Sequence, residues 1–313
     1  MKVRRFQSED RAEWNRFLET SKNSHFMFNR DYMEYHADRF SDFSLIVSDD
    51  NDDFLALLPS NISDKVLYSH QALTFGGLCV KKTATTSLVC DIFRAVLAFL
   101  KDTNLVESVV YKRLPDFYVT YPAQEDLYSL FLLNAKLFRR DVTVAIDLES
   151  PLEINTMRMR RIKKAQKLGV LVEETTSFLE FWDVLEEVLL SQYGVKPVHS
   201  LSEIEQLRAL FPNNIRCFTA RKDGKVIAGT VVYETSKVAH TQYLANSILG
   251  REFGGLDLVL HELITNVYGS KKYFDFGISN EEGGRVLNTG LISQKESFGA
   301  RSFVHEFYSI PVI

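Results

Sequence analysis

The residues of this chain that are best suited to chemistry lie in its last quarter. Asp275 falls among aromatic residues in the strand-like stretch 272–278, so its carboxylate is expected at the mouth of a β-sheet, where ligands of α/β proteins bind. Lys295, on a predicted helix, can hold a positive charge or release a proton. The residues able to accept a proton are His240, Asp275, Glu296 and Tyr243. The sequence does not choose a base among them, and we assign Lys295, Asp275, His240 and Glu296 to catalysis.

A loop at 247–255 has the composition of a phosphate site. It runs from the end of a predicted strand into a predicted helix, whose first turn offers unpaired N–H groups and a partial positive charge. Arg251 adds a full charge, and Gly254 and Gly255 let a ligand approach the backbone closely. We therefore assign Arg251, Gly254 and Gly255 to cofactor binding, with Tyr243 on the preceding strand.

The predicted acceptor site draws on both halves of the chain. Tyr193, Lys196 and His199 lie on a link between two predicted helices, and Gly76 and Gly77 lie after the third predicted strand. Ligands often bind at domain interfaces, so these residues are predicted to contact the acceptor.

The second half of the chain has a clear order of elements. Lys222-Asp223-Gly224-Lys225 is a hairpin turn between two strand patterns. Three antiparallel strands are followed by a βαβ crossover, which makes the next strand parallel to the third. The predicted strands are 215–221, 226–234, 238–246, 272–278 and 302–310, and the predicted helices are 178–191, 201–210, 256–268 and 287–298.

The first half repeats this order. Its predicted strands are 43–48, 54–60, 65–70, 106–113 and 141–148, with helices at 86–101 and 125–136. Phe75-Gly76-Gly77 falls where Phe253-Gly254-Gly255 falls in the second half. The repetition indicates tandem duplication. The predicted fold class is α/β (α+β), with two domains at 1–150 and 151–313 joined by the basic amphipathic helix 151–170.

Composition excludes several classes of protein. The 313 residues are 45% hydrophobic and 25% charged, which argues against disorder. A net charge of -4 argues against general affinity for DNA. The three widely spaced cysteines fit a reducing compartment and no structural metal. The start is polar and acidic, unlike a signal peptide, and no apolar run could span a membrane, so a cytoplasmic location is expected.

Residues 215–313 resemble the C-terminal half of the GNAT acyltransferases, and the tandem order resembles the Fem-type (FemAB-related) branch. Arg251-Glu252-Phe253-Gly254-Gly255 is similar to that family's pyrophosphate loop. Asp275-Phe276-Gly277-Ile278-Ser279 followed by Lys295-Glu296-Ser297-Phe298-Gly299 resembles the Fem-type enzymes, in which such a lysine lies near the transferring group. In other GNAT members a tyrosine stands where this chain has Lys295.

The resemblance implies an N-acyltransferase that uses acetyl-CoA or another acyl-CoA as co-substrate. Its acceptor would be the amine of an amino sugar or of a surface-polysaccharide precursor, with the first domain forming a wall of the acceptor cleft. One alternative is a Fem-type transferase that uses aminoacyl-tRNA, which Lys295 and the basic helix favour. Another is a non-catalytic scaffold.

Overall fold

The structure is a computed structural model that describes residues 1–313, apart from the side chain of His36. The chain forms two compact units. Unit 1 comprises residues 1–141, 282–285 and 304–313, and unit 2 comprises residues 142–281 and 286–303. The chain thus passes from one unit to the other more than once. The predicted domain boundary at residue 150 stays a prediction.

The first part of the chain, up to residue 147, begins and ends with strands. Its strands are β1 (Lys2–Arg5), β2 (Ser41–Asp42), β3 (Leu45–Ser48), β4 (Phe54–Leu58), β5 (Asn61–Ser63), β6 (Val66–Tyr68), β7 (Cys79–Val80), β8 (Ser108–Lys112) and β9 (Lys136–Asp147). Its helices are α1 (Arg11–Thr20), α2 (Arg30–Met33), α3 (Thr86–Thr103) and α4 (Glu125–Leu132).

The second part contains the longer strands. Its helices are α5 (Thr156–Lys167), α6 (Leu179–Tyr193), α7 (Leu201–Leu210), α8 (Ile248–Phe253), α9 (Gly255–Glu262, continued by a π-turn at Leu263–Val267) and α10 (Thr289–Glu296). Its strands are β10 (Leu171–Thr175), β11 (Ile215–Lys222), β12 (Lys225–Glu234), β13 (Val238–Asn246), β14 (Tyr273–Ile278), β15 (Asn280–Glu281), β16 (Val286–Leu287) and β17 (Arg301–Pro311).

Unit 2 is built on a sheet with the strand order β10-β11-β12-β13-β14-β9. The β11–β12 hairpin turns through Asp223 (φ 50°) and Gly224 (φ 79°), the pair of positive φ angles that a two-residue hairpin requires. β13 and β14 are parallel because α9 crosses between them, as predicted. Helices α5 and α9 bury an apolar core on one face of this sheet, with Ile162, Val259 and Phe274 at its centre.

Unit 1 has its strands in two sheets, ordered β1-β3-β4-β7 and β17-β8-β6-β5-β2. The strand predicted at 54–60 ends at Leu58, and β5 begins at Asn61 in the other sheet. Pro59 stands at this break, where it has no N–H to offer a sheet ladder. β6 and β8 are parallel across α3, so the predicted crossover is present here too.

The last strand of each predicted repeat pairs outside that repeat. In unit 2, residues of β9 pair with β14, with Phe274 opposite Ile146. In unit 1, β17 pairs with β8, with Phe307 opposite Lys112. The two repeats therefore have the same order of elements along the chain, but each is completed by the last strand of the other.

The two Phe-Gly-Gly segments are not equivalent, which corrects our alignment of them. Gly254 ends α8 and Gly255 begins α9. Gly77, in contrast, precedes β7, and α3 begins only at Thr86. No helix in the described part of the chain has the length and apolar character needed to cross a membrane.

Candidate active site

The candidate active site lies where β13 and β14 separate. Their parallel pairing runs from Val238–Tyr273 to His240–Asp275 and stops there. Two residues further on, Gln242 bulges out of β13, because Tyr243 pairs with Val231 and Thr241 with Val232. The edge of β13 beyond His240 is thus no longer paired to β14 and can present backbone N–H groups to a ligand.

His240 and Asp275, both predicted site residues, are joined at this point. His240 Nδ1 lies 2.8 Å from Asp275 Oδ2, and both residues are buried. Thr143 Oγ1 donates to Asp275 Oδ1 at 2.8 Å, and the Gly277 amide donates to the same oxygen at 2.9 Å. An ionised carboxylate only accepts hydrogen bonds, so Asp275 places the ring proton of His240 on Nδ1 and leaves Nε2 as a proton acceptor.

Gly277 holds this cluster together through its backbone. Its φ is +74°, in the region that glycine adopts without strain. A Cβ added at this position would lie 3.2 Å from Cε1 of His240. The sequence marked Gly277 only as a member of the Asp275–Ser279 segment, without this role, and it did not mark Thr143, which forms part of no recognisable local motif.

Lys295 is buried and reaches the same strand end from α10. Its Nζ donates to the carbonyl oxygens of Gly277, at 2.9 Å, and Ile278, at 2.6 Å. Burial lowers its pKa from 10.5 to about 8, and the nearby Asp275 partly opposes that effect. The lysine is therefore mostly charged at neutral pH, and it can release a proton more readily than an exposed lysine.

The other predicted catalytic residue, Glu296, is half-buried beside Lys295 on α10. Among the described contacts, no hydrogen bond links its carboxylate to His240, Asp275 or Lys295. The geometry thus favours His240 as the base.

Tyr243 and His199 come together, although the sequence assigned them to different ligands. The Tyr243 hydroxyl lies 2.5 Å from His199 Nδ1, and the ring of Trp182 packs edge-on against Tyr243 at 5.2 Å. Tyr193 and Lys196, from the same link as His199, are exposed. Their assignment to the acceptor stays a prediction.

Gly76 and Gly77 are buried inside unit 1. A Cβ on Gly76 would lie 1.5 Å from the Ser69 carbonyl oxygen, and one on Gly77 would lie 3.0 Å from the Tyr111 hydroxyl. Close packing of the chain against itself explains both glycines. Their predicted contact with the acceptor has no support from this placement.

The predicted phosphate loop is largely helical, which corrects our description of 247–255 as a loop. Ser247 caps α8 by accepting from the Gly250 amide, and Gly254 (φ 75°) turns the chain into α9. A Cβ on Gly254 would lie 2.9 Å from the carbonyl oxygen of Arg161 on α5. Gly254 therefore lets α5 pack against the N-terminus of α9.

A carboxylate already occupies the first turn of α9. Asp257 is buried and ion-paired to Arg158, and also to Arg161, whose Nε lies 2.8 Å from Oδ2. A negative side chain suits the positive end of a helix, where a phosphate would otherwise bind. Arg251 is exposed, and Gly255 packs against Ile227 and Ala228. The sequence did not mark Asp257.

Helix α5 presents a basic surface, which we call the α5 basic face. It is formed by Arg160, Lys163, Lys164 and Lys167, around an open cavity of about 430 Å³. The other end of α5 packs on α10, where Arg158 Nε donates to Ser297 Oγ at 3.0 Å. α5 has 12 residues, so the basic face lies within about 18 Å of the helix that carries Lys295.

Comparisons with known proteins show what the chain is similar to. Residues 156–282 match the family model described as Acetyltransferase (GNAT) domain. Solved structures with similar folds include FemX (11% identity, 99% of this chain and 97% of that chain covered, TM-score 0.70). L-PGS from Bacillus licheniformis has 12% identity, with 98% and 93% covered and a TM-score of 0.62. A tandem GNAT protein from the clavulanic acid biosynthesis pathway has 11% identity, with 100% and 98% covered and a TM-score of 0.53.

No curated protein matches the chain. At these identities the structural likeness shows the fold alone. The chain has a mixed α/β fold similar to those of FemX and the tandem GNAT protein, so the predicted fold class and the resemblance are confirmed. The family match supports an acyltransferase.

Proposed function

We propose that this tandem GNAT protein transfers an acyl group to an amine at the His240–Asp275–Lys295 cluster of unit 2. The observation that carries the proposal is the buried pairing of a base with its orienting carboxylate, beside a lysine charge, at the point where β13 and β14 separate. Acyl transfer needs a base for the nucleophile, stabilisation of an oxyanion and protonation of the leaving group.

Each of these needs has a candidate group. The amine nitrogen attacks the acyl carbonyl carbon and passes its proton to His240 Nε2, which Asp275 keeps in the accepting tautomer. The unpaired edge of β13 and the Lys295 ammonium stabilise the oxyanion. The bond from the acyl carbon to oxygen or sulfur then breaks, and the leaving group takes up a proton, from Lys295 or from the protonated His240.

Aminoacyl-tRNA is the donor that the geometry supports best. The exposed α5 basic face suits an RNA backbone, and α5 leads from it toward α10 and Lys295. At the same time, α5 and Asp257 occupy the helix end at which the pyrophosphate of CoA was expected.

An acyl-CoA donor is the second candidate. It is favoured by the acetyltransferase family match over 156–282 and by the exposed Arg251, which is able to reach a phosphate. The acceptor we propose in either case is the amine of an amino sugar or of a surface-polysaccharide precursor, and the reaction is placed in the cytoplasm. The roles of 1–150 in shaping the acceptor cleft and of 151–313 in binding the donor are part of this proposal.

The experiment compares donors directly. The full chain is incubated with acetyl-CoA, with charged tRNA or with neither, and thermal stability is followed, because a ligand that binds only the folded state raises it. Aminoacyl-tRNA is expected to stabilise the chain, with an effect that falls steeply as salt rises. Replacing Arg160, Lys163 and Lys167 by glutamine should abolish the stabilisation by aminoacyl-tRNA. The control Lys101→Gln on α3 should leave it unchanged.

Stabilisation by acetyl-CoA alone would select the second candidate. The acyltransferase proposal fails if neither donor binds and no acyl group is transferred to glucosamine or to a sugar nucleotide carrying a free amine. The hypothesis that then remains is a non-catalytic scaffold.

A further inference from the structure

The bulge in β13 places a side-chain amide on the free part of that strand. Gln242 is the residue that the bulge adds between Thr241 and Tyr243. It follows His240 by two residues, a separation of about 7 Å along a strand. Because the pairing with β14 stops at His240, Gln242 lies on the segment of β13 that is open to a ligand.

The side-chain oxygen of Gln242 is buried and unmet. The residue as a whole is half-buried, but its Oε1 is shielded from solvent and accepts no hydrogen bond from any described residue. A buried acceptor without a donor is costly, and most buried polar atoms in proteins have a partner. This oxygen therefore favours a ligand that brings an N–H or O–H group to it.

A second unmet polar atom lies beside the same segment. Trp182 Nε1 finds no acceptor among the residues that the structure describes, although Trp182 is only 2% exposed. Its ring packs edge-on against Tyr243, the chain neighbour of Gln242. Two unmet polar groups along one short stretch, an acceptor and a donor, are typical of a place that receives a polar ligand rather than of a packed core.

The two candidate donors differ in what they can offer to this oxygen. The acyl group of acetyl-CoA ends in a methyl group, which has no N–H. The acyl group of an aminoacyl-tRNA carries an α-amino group, whose N–H bonds can donate to an amide oxygen. Ordinary bond lengths place the amino nitrogen about 2.5 Å from the reacting carbonyl carbon. A donor that reacts at His240 thus brings its amino group to the segment of β13 that carries Gln242.

We propose that Gln242 is a specificity residue, which accepts a hydrogen bond from the α-amino group of the donor and so selects an aminoacyl group over a simple acyl group. This inference rests on the proposed function, since it takes the His240–Asp275–Lys295 cluster as the place of transfer. Gln242 has no part in the bond changes. It acts by binding the donor, and His240 remains the acceptor of the proton from the attacking amine.

The test is filter binding of the full chain to one tRNA in three forms: glycyl-tRNA, the same tRNA with an acetyl ester at its 3′ end, and uncharged tRNA. Glycyl and acetyl groups differ only in the amino group, so the ratio of the two dissociation constants measures recognition of that group alone. We expect glycyl-tRNA to bind about tenfold more tightly than acetyl-tRNA, the usual effect when a buried acceptor gains its donor.

Variants of Gln242 assign this preference to the side chain. Gln242→Met, which keeps the length of the side chain without the amide, should bind glycyl-tRNA and acetyl-tRNA equally, whereas a merely structural role would weaken both forms alike. Gln242→Leu repeats the measurement with a second apolar side chain. Gln242→Glu, which keeps an acceptor oxygen, should retain the preference. Gln206→Leu, which replaces an exposed glutamine of α7, is the matched control and should bind like wild type.

The outcomes separate this inference from the function on which it rests. Failure of every form of the tRNA to bind would remove the tRNA donor proposed above, and this inference with it. Binding of the tRNA with equal affinity for the glycyl and acetyl forms would overturn the role of Gln242 alone. A wild-type preference that persists in Gln242→Met and Gln242→Leu would also overturn it, because another group would then bind the amino group.

Discussion

Lys295, the buried lysine of the candidate active site, should make the stability of the chain depend on pH. Its pKa falls from 10.5 to about 8 in the folded chain. Between these values the unfolded chain holds a proton that the folded chain has released, so stability rises as pH increases through this window. From about pH 7 to pH 10 the gain from Lys295 alone amounts to about 2.5 kcal/mol.

Urea unfolding of wild type and Lys295→Met at these two pH values isolates this gain. Other lysines and the tyrosines titrate in the same window, but their effects cancel between two chains that differ at one position. The stability of the wild type should rise by about 2.5 kcal/mol more than that of the variant. Lys101→Met, which removes an exposed lysine of α3, should follow the wild type. An equal pH dependence in Lys295→Met and wild type would refute the burial of this charge.

Activity then separates the two roles of the lysine. If Lys295 acts as a charge, Lys295→Arg keeps much of the turnover at saturating donor and Lys295→Met loses it. Wild-type activity should also decline above about pH 8, as Lys295 loses its proton, whereas Lys295→Arg should not share that decline. If the Lys295→Arg and Lys295→Met variants are both inactive, the result supports Lys295 as a proton donor. Full activity in both variants would show that Lys295 has no part in the mechanism.

Two further predictions concern other groups. Asp275→Asn should lower kcat by about 10²- to 10⁴-fold with the fold retained, because His240 loses the partner that fixes its tautomer, and near-normal turnover would remove His240 as the base. If acyl-CoA is the donor, Arg251→Ala should weaken CoA binding by about 1.5–3 kcal/mol, and an unchanged Kd in a folded variant would count against a phosphate site in 247–255.

Much of the fold was readable from the sequence because its signals are local. The Asp223-Gly224 turn and the alternating strands around it predict the β11–β12 hairpin, and the apolar face of 256–268 predicts the crossover helix. β10 was missed, because Leu171–Thr175 is a short edge strand with only one apolar pair. α8 was missed because its six residues contain a glycine and carry little helical periodicity.

Part of the candidate site could be proposed from the sequence. Asp275, His240 and Lys295 were singled out, and the structure brings them together around Gly277, while their catalytic roles stay a prediction. The use of Gly254 for packing was not predictable, since the partner that approaches it is α5, about ninety residues earlier in the chain. The ion pairs of Asp257 with Arg158 and Arg161 were not predictable for the same reason, because they also join α9 to α5. Long-range packing, which one sequence does not reveal, decides whether a glycine serves a ligand or a neighbouring helix.

The exchange of closing strands has a consequence for synthesis of the protein. The edge of β8 is completed by β17, with Lys112 opposite Phe307, so unit 1 cannot finish its sheet until nearly 200 further residues have been made. At ordinary rates of translation this takes about 10–40 s. During that time β8 is an open edge on the nascent chain, able to pair with a second such edge on a neighbouring ribosome. The order of translation, and not only the native contacts, therefore bears on the yield of folded protein.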